Sequence, residues 1–507
     1  MGNIAFQLMI ITILSKITGL VREVYFGAAF GTSAIKDIYV ITNSLTAILF
    51  SYLFVSMQTT FIPMYNNVLA RGGRKRADRF TANLTNTLVV VALLIIALTF
   101  LFANPLARLV APGFSPEKLQ QTADFLRITV FGIFFSALFA APISYLNIYD
   151  NFVTPATTGI LMNAILILFT FLSARHQSLW LLAIGVVVSK GLQYVFFPRA
   201  LRRAGYHHRL LLRPADPTIR ESLRIALPAI FSILVYDLSV VIDKSIASFL
   251  VTNGGVASMD YAAKIIDFVQ GIVVVSIVTA AYPRLSRLAQ EPKDRPAFKR
   301  LIKNSITSGA LLVIPAVAGI MVYAVPVTRL FYERGAFTPE ATQMVSTILF
   351  WYAPAILFEL FSRIYIRAFY SLKDTKTPLL AGAIQVGVDI VLNVILSYFF
   401  GLIGLASSTS IGALAGVFVL FHFLRKRVGN LALRSMGRSL LKISFATLLM
   451  VFISRSFFEV APIASEGIRF LGTLLIAFVV YFISIIALRV PEAQALIRRA
   501  WRRYHPR

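Results

Sequence analysis

The sequence predicts an all-α integral membrane protein of about 14 transmembrane helices, with two pseudo-symmetric six-helix lobes around a central cavity and an appended C-terminal helix pair. Composition, the distribution of basic residues and an internal repeat predict it. Of 507 residues, 58% are hydrophobic and only 14% charged, with a mean hydropathy of +0.77, far more apolar than a soluble domain. The net charge of +27 has no soluble basic domain to sit in, so it belongs to membrane loops. Zero cysteines exclude disulfides, thiolate metal sites and cysteine nucleophiles, and five histidines leave little for a metal cluster.

The first apolar run, Ile4 to Phe30, lacks a basic leader and is interrupted by Lys16, Arg22 and Glu23. It therefore reads as a retained spanning helix and not as a cleaved signal. Windows of about 20 apolar residues, enough to cross about 30 Å of hydrocarbon, place helices near 4–29, 36–66, 84–104, 124–148, 155–174, 178–198 and 222–250. Seven more follow near 256–283, 304–324, 341–366, 378–400, 402–424, 437–455 and 467–488, with tight turns at Asn151 and Gly401. With both termini cytoplasmic, 34 of the 49 Lys and Arg fall in inward loops, eight in outward ones and seven within helices, as the positive-inside rule requires. Anionic lipid headgroups then account for the basic surface, and a nucleic-acid partner is not expected.

A repeat recurs at an offset of 220 to 223 residues. Asp37-Ile38-Tyr39 returns as Asp260-Tyr261, Phe61-Ile62-Pro63 as Ala281-Tyr282-Pro283, Gly113-Phe114-Ser115-Pro116-Glu117 as Ala336-Phe337-Thr338-Pro339-Glu340, and Thr154-Pro155 as Thr377-Pro378. Six helices per copy is even, so both copies share one orientation about an axis along the membrane normal, the layout of an alternating-access transporter. The expected divisions are an N-terminal lobe over 1–215, a C-terminal lobe over 216–430, a helix pair over 431–490 forming a lipid-tail groove, and a basic cytoplasmic tail over 491–507.

Charged residues inside spans mark function, because each costs about 2.5–3.5 kcal/mol or more at the bilayer centre. Lys16, Gly19, Arg22 and Glu23 share one side of the first helix, Asp37 opens the second, and Lys264 and Asp267 lie in the eighth. Arg22 and Lys264 sit at similar depth in opposite repeats, which points to a cationic cavity for an anion, with arginine suited to phosphate oxygens. The alternative is local pairing of Lys16 with Glu23 and of Lys264 with Asp267. Asp243, Asp389, Asn393 and Thr409 offer oxygen ligands at comparable depth, a candidate Na⁺ or proton site, or else a polar staple between helices. Glu359, Arg363 and Arg367, at i, i+4 spacing, form a snorkelling ladder or a gate.

The stretches Ser15 to Glu23, Phe26-Gly27 through Asp37, Phe61-Ile62-Pro63, Ala111 to Phe114, Tyr261 to Lys264, Tyr332 to Phe337 and Phe369 through Pro378 resemble the MurJ (MviN) lipid II flippase family of the MOP transporter superfamily, over essentially the whole length. That resemblance implies fourteen helices in two lobes, a last helix pair grooved for a polyprenyl tail, and transport of undecaprenyl-pyrophosphate-linked disaccharide-pentapeptide from inner to outer leaflet. It also implies a bacterial plasma-membrane location, a role in peptidoglycan synthesis and cell shape, and cell-wall synthesis proteins as candidate partners. Carried onto this chain, it makes Arg22 a required cavity arginine and Asp37 a cavity carboxylate, and it sets Lys16 and Lys264 where many members have arginine. The helix 2 arginine common in the family is missing here, since no charged residue occurs between Asp37 and Arg71. Two transport alternatives remain. One is a flippase for another polyprenyl-linked glycan; the other is a multidrug or cation antiporter of the same superfamily, for which a cavity rich in Lys and Arg carries the wrong sign. An enzyme acting on lipid-linked sugars would need paired carboxylates on an outer rim, where only Glu117, Glu333 and Glu340 are available. No enzymatic activity and no resident cofactor are expected, apart from Na⁺ as a coupling ion.

Overall fold

The structure, a computed structural model, describes residues 2–431, 433–462 and 465–494. The basic tail expected over 491–507 lies outside the described residues beyond Gln494. The described chain is helical, without strands: α1 (Gly2–Phe30), α2 (Ala34–Leu101), α3 (Ala103–Val110), α4 (Pro116–Thr129), α5 (Gly132–Ile148), α6 (Val153–His176), α7 (Leu179–Leu192), α8 (Phe197–Arg203) and α9 (Pro217–Leu250). The second half comprises α10 (Gly255–Leu288), α11 (Arg295–Val322), α12 (Ala324–Tyr332), α13 (Pro339–Ser371), α14 (Lys376–Phe400), α15 (Leu402–Val428), α16 (Leu433–Val460) and α17 (Glu466–Ala487). Eleven helical stretches among the described residues are long and apolar enough to cross a membrane. This is a multi-pass membrane protein.

α2 carries two of the expected spans. Its backbone leaves helical geometry at Gly73 (φ 68°, ψ 177°), a conformation that only glycine adopts without strain. Phe61 and Phe80 would stand about 28 Å apart along a straight helix, yet their rings stack at 5.9 Å, so the chain doubles back at Gly73. The Arg71–Arg79 stretch, expected as a loop, is therefore helical up to and after a one-residue turn. Pro283, expected at the end of its segment, lies inside α10, which continues to Leu288.

The chain divides into two compact units, Met1–Ala257 with Arg334–Thr338, and Ser258–Glu333 with Pro339–Arg507. In the first, both arms of α2 pack with α5 and the start of α9 around Phe61, Tyr65, Leu84 and Tyr145. Ile219 and Ala226 of α9 are buried in that core, which is why this helix is compact with the first unit although the repeat places it at the start of the second copy. In the second unit, α16 and α17 pack on α11 through Leu311, Ile443, Met450 and Tyr481, and the Tyr481 hydroxyl donates to the Leu311 carbonyl at 2.6 Å. The opposite faces of this pair stay apolar and open, with Leu441, Phe452 and Phe478 about two-thirds or more exposed, as contact with lipid requires.

The repeat is also written in the backbone. Asp150 (φ 57°) and Lys373 (φ 59°) turn the chain with the same rare positive φ. One residue later Asn151 and Asp374 accept from the backbone N–H of Thr154 (3.2 Å) and Thr377 (3.0 Å). Gly31 and Gly254, at the same offset, both adopt positive φ. The α3–α4 loop seats on the end of α9, where a Cβ on Gly113 would stand 2.2 Å from the Ser248 carbonyl oxygen and 2.3 Å from the Phe249 Cα. Backbone atoms cannot rotate away, so Gly113→Ala is expected to cost about 1–3 kcal/mol. A melting curve of the purified variant checks it; an unchanged midpoint would show that the loop can lift off at no cost.

Candidate functional site

The cluster forms where α1 ends and α2 begins. Gly31 terminates α1 in the left-handed conformation, its N–H donating to the Gly27 carbonyl at 2.7 Å, so the chain reverses within three residues. The reversal brings Lys36, in the first turn of α2, back over the last two turns of α1. Its Nζ lies 3.0 Å from Glu23 Oε2, and it sits above the rings of Phe26 (4.6 Å) and Tyr39 (5.6 Å), a cation–π setting for a wholly buried ammonium. Glu23 is shared: its Oε1 accepts from Arg22 Nη2 at 2.5 Å and Nε at 3.2 Å. The third edge of the guanidinium donates from Nη1 to Asn163 Oδ1 on α6 at 2.9 Å. Asn163 is oriented in turn, its Nδ2 donating to Thr18 Oγ1 (3.1 Å) and the Ser15 carbonyl (3.3 Å). Glu23 thus accepts from both Arg22 and Lys36, and Lys190 on α7 lies within electrostatic reach of Arg22. Lys190 makes no hydrogen bond or ion pair from its side chain among the described residues.

A second ionic group lies toward the N-terminal end of α2. Asp37 is fully buried and accepts from Lys118 Nζ (2.7 Å), Gly254 N (2.7 Å) and Ala257 N (2.7 Å). It caps the first turn of α10, where a carboxylate meets orphan N–H groups and the positive end of the helix dipole. Lys118 also donates to the Thr252 carbonyl at 2.6 Å and lies 3.8 Å from the centre of the Phe114 ring.

The structure thus brings Arg22 and Glu23 together, gives Asp37 to a separate buried group, and leaves Lys16 exposed on α1 without an ion pair or side-chain hydrogen bond among the described residues. In the second unit, Lys264 Nζ lies 3.8 Å from Asp260, one turn earlier, while Asp267 is exposed. Asp243, on α9, is buried in the first unit; Asp389 and Asn393 are buried on α14 in the second. Asn393 Oδ1 accepts from the hydroxyl of Ser408, the neighbour of the Thr409 singled out by sequence, and Thr409 donates to its own helix at the Leu405 carbonyl (3.2 Å). Arg363 pairs with Glu359 at 3.0 Å, and Arg367 stacks over Tyr282 at 4.8 Å, an ordinary ladder. Lys36, Lys118, Asn163 and Lys190 carry much of this geometry and were not singled out by sequence. Lys36 and Lys118 read there as outward-loop charges, and only Lys36 carried a hint, as the immediate neighbour of Asp37.

A family model described as "Lipid II flippase MurJ" matches residues 26–482. The chain belongs to the MurJ family of lipid II flippases. A probable lipid II flippase MurJ from Rickettsia prowazekii is 29% identical over 425 residues, covering 83% of each chain. The solved structure of a lipid II flippase MurJ in an inward closed conformation superposes with a TM-score of 0.82 at 26% identity, over 95% of this chain and 98% of that one. An inward-facing multidrug transporter of the MATE family, in the MOP superfamily, has a TM-score of 0.69 at 15% identity over 84% of this chain and 98% of its own; that likeness concerns the fold alone. The MurJ resemblance read from the sequence motifs is thereby borne out, and the Arg22–Glu23–Asn163 group lies in a MurJ fold.

Proposed function

We propose that the protein moves lipid II, the undecaprenyl-pyrophosphate-linked peptidoglycan precursor, from the inner to the outer leaflet by alternating access, with Arg22 as the principal ligand of the pyrophosphate. The observation that carries this reading is the match of a lipid II flippase family model to residues 26–482, with the Arg22 guanidinium and the nearby Lys190 ammonium as cations suited to an anionic substrate. A cation antiporter would need the opposite sign. Both termini are proposed to be cytoplasmic, since that orientation puts 34 Lys and Arg inside, and α16 with α17 is proposed to bind the polyprenyl tail along its apolar outer face. The protein is proposed to act without catalysing a reaction.

Expression in a bacterial strain depleted of its own lipid II flippase tests the reading: growth and normal cell shape are expected. Failure of a well-expressed protein to restore growth would assign it another lipid-linked glycan. Na⁺ is proposed as the coupling ion, with Asp389, Asn393 and Thr409 of the second unit as ligands. A coupling ion acts only through different affinities for two conformations. Distance labels should therefore report a Na⁺-dependent population shift at fixed ionic strength, lost in Asp389→Asn; populations that ignore Na⁺ would leave these residues as a polar staple.

A further inference from the structure

At the Gly73 turn of α2 the structure holds an open pocket of about 410 Å³, lined on its other side by the segment leading into α9. That volume falls within the range of about 300–1,000 Å³ typical of ligand pockets. Lys75, Arg76, Arg79 and Arg213 line it, with Asp216 as the one carboxylate. None of the four cationic side chains makes a hydrogen bond or ion pair among the described residues. Their neighbour Arg74, by contrast, is fully engaged with Asp78, the Tyr145 hydroxyl and the Ala204 carbonyl.

The four side chains are exposed, but the backbone that carries Arg213 to the pocket is fixed. Asn83 grips the backbone of Arg213 in both directions, Oδ1 accepting from its N–H at 2.6 Å and Nδ2 donating to its carbonyl at 3.0 Å. Asn86 holds the carbonyls of Arg209 and Leu211 at 2.9 Å each. Asp216 caps α9 by accepting from Thr218 N at 2.8 Å, so the positive end of that helix also faces the pocket. Arg76 lies across Gly72, where a Cβ would stand 2.3 Å from its Cδ. Val68, Phe80 and Leu211 supply an apolar wall.

We propose that this pocket binds a phosphate ester. Three to four guanidinium and ammonium groups around one concavity match phosphate oxygens, and the apolar wall suits the carbon skeleton that bears the phosphate. A phospholipid headgroup and a soluble phosphorylated metabolite share this chemistry. The site is separate from the Arg22 group, and its occupancy can be read without any transport assay.

The test compares the wild-type full chain, a Lys75→Gln/Arg76→Gln/Arg79→Gln triple variant and a charge-matched Arg284→Gln/Arg287→Gln/Arg295→Gln control. In one arm, proteins eluted from vesicles of phosphatidylglycerol and phosphatidylcholine are weighed intact by native mass spectrometry. In the other, glycerol 3-phosphate is titrated against thermal unfolding at constant ionic strength. Wild type and control are expected to retain phosphatidylglycerol at least tenfold better than the pocket triple if the source is lipid, or to be stabilised by glycerol 3-phosphate if it is soluble; either result supports the site and names the source. Asp216→Asn keeps the helix cap, since asparagine caps as well as aspartate, and removes the only carboxylate, so it should bind the same probe severalfold more tightly. It also keeps the test alive should the triple variant fold poorly. Equal behaviour of wild type and pocket triple in both arms, equal loss in the control, or weaker binding by Asp216→Asn overturns the proposal.

Discussion

Glu23→Ala is expected to leave little folded protein, whereas Arg22→Ala should insert, fold and fail to transport. Glu23 is almost fully buried and is an acceptor for a Lys36 ammonium with no solvent exposure. Glu23→Ala takes away at once the carboxylate that Lys36 and Arg22 share, and breaking a buried ion pair costs about 3–5 kcal/mol, a large share of the about 5–15 kcal/mol that holds a typical domain together. Arg22→Ala leaves the Glu23–Lys36 pair in place, and Asn163, although it loses the donor to its Oδ1, keeps its bonds to Thr18 and the Ser15 carbonyl, so the expected loss is the smaller of the two. Yield and melting by fluorescence-detected gel filtration, alongside rescue of a flippase-depleted strain, separate the two outcomes. Normal growth with Arg22→Ala would remove it as the pyrophosphate ligand, and a wild-type melting curve for Glu23→Ala would mean that Lys36 finds another acceptor.

The Asp37 group should be nearly as sensitive and for a different reason. Asp37→Ala takes the counter-charge from Lys118, which keeps only the neutral acceptors Thr252 O and Asn253 Oδ1 among its hydrogen bonds, and leaves two backbone N–H groups of the α10 cap without their acceptor, with an expected loss of about 3–5 kcal/mol. Asp37→Asn keeps one acceptor oxygen and should fall between that variant and wild type. In the Asn background, Lys118→Met should cost much less than in wild type, because the buried charge no longer has a carboxylate to lose; a double-mutant cycle measures this coupling. If instead Asp37→Asn melts like wild type and loses transport, Asp37 is a cavity ligand after all and its capping role is secondary.

What could be read from the sequence follows from which forces are local. Apolar windows placed α1 and α6 to within a few residues, since spanning length is a property of each segment by itself. The repeat held down to single backbone turns, because Thr154-Pro155 and Thr377-Pro378 carry their own capping chemistry. Arg22 and Glu23 were legible since charges inside a span are costly enough to announce themselves. Lys36 and Lys118 were not, because a lysine near a helix end reads as solvated until its partner is known, and their partners lie 13 and 81 residues away. The packing of α9 on α2 was hidden for the same reason: its apolar face shows that it packs, without showing on what. The Gly73 turn was readable in principle from Gly72-Gly73 within a basic run, yet the helical conformation on both sides of it depends on the α5 contacts that fold the two arms together.

The order in which the chain is made has a bearing on its first helix. The Ala28 carbonyl near the end of α1 accepts from the N–H of Ala336 at 2.8 Å, and Gly31 and Gly335 pack so closely that a Cβ on either would strike the opposing backbone. A helix synthesised first is therefore completed by a segment made some three hundred residues later. At about 5–20 residues per second the ribosome needs roughly 15–60 s to supply it. During that interval the Glu23–Lys36 pair can form between α1 and α2, while the end of α1 lacks the backbone that closes it. A nascent chain stalled before Arg334 should accordingly expose the α1–α2 turn to proteases or alkylating labels introduced there, and release past Thr338 should protect it.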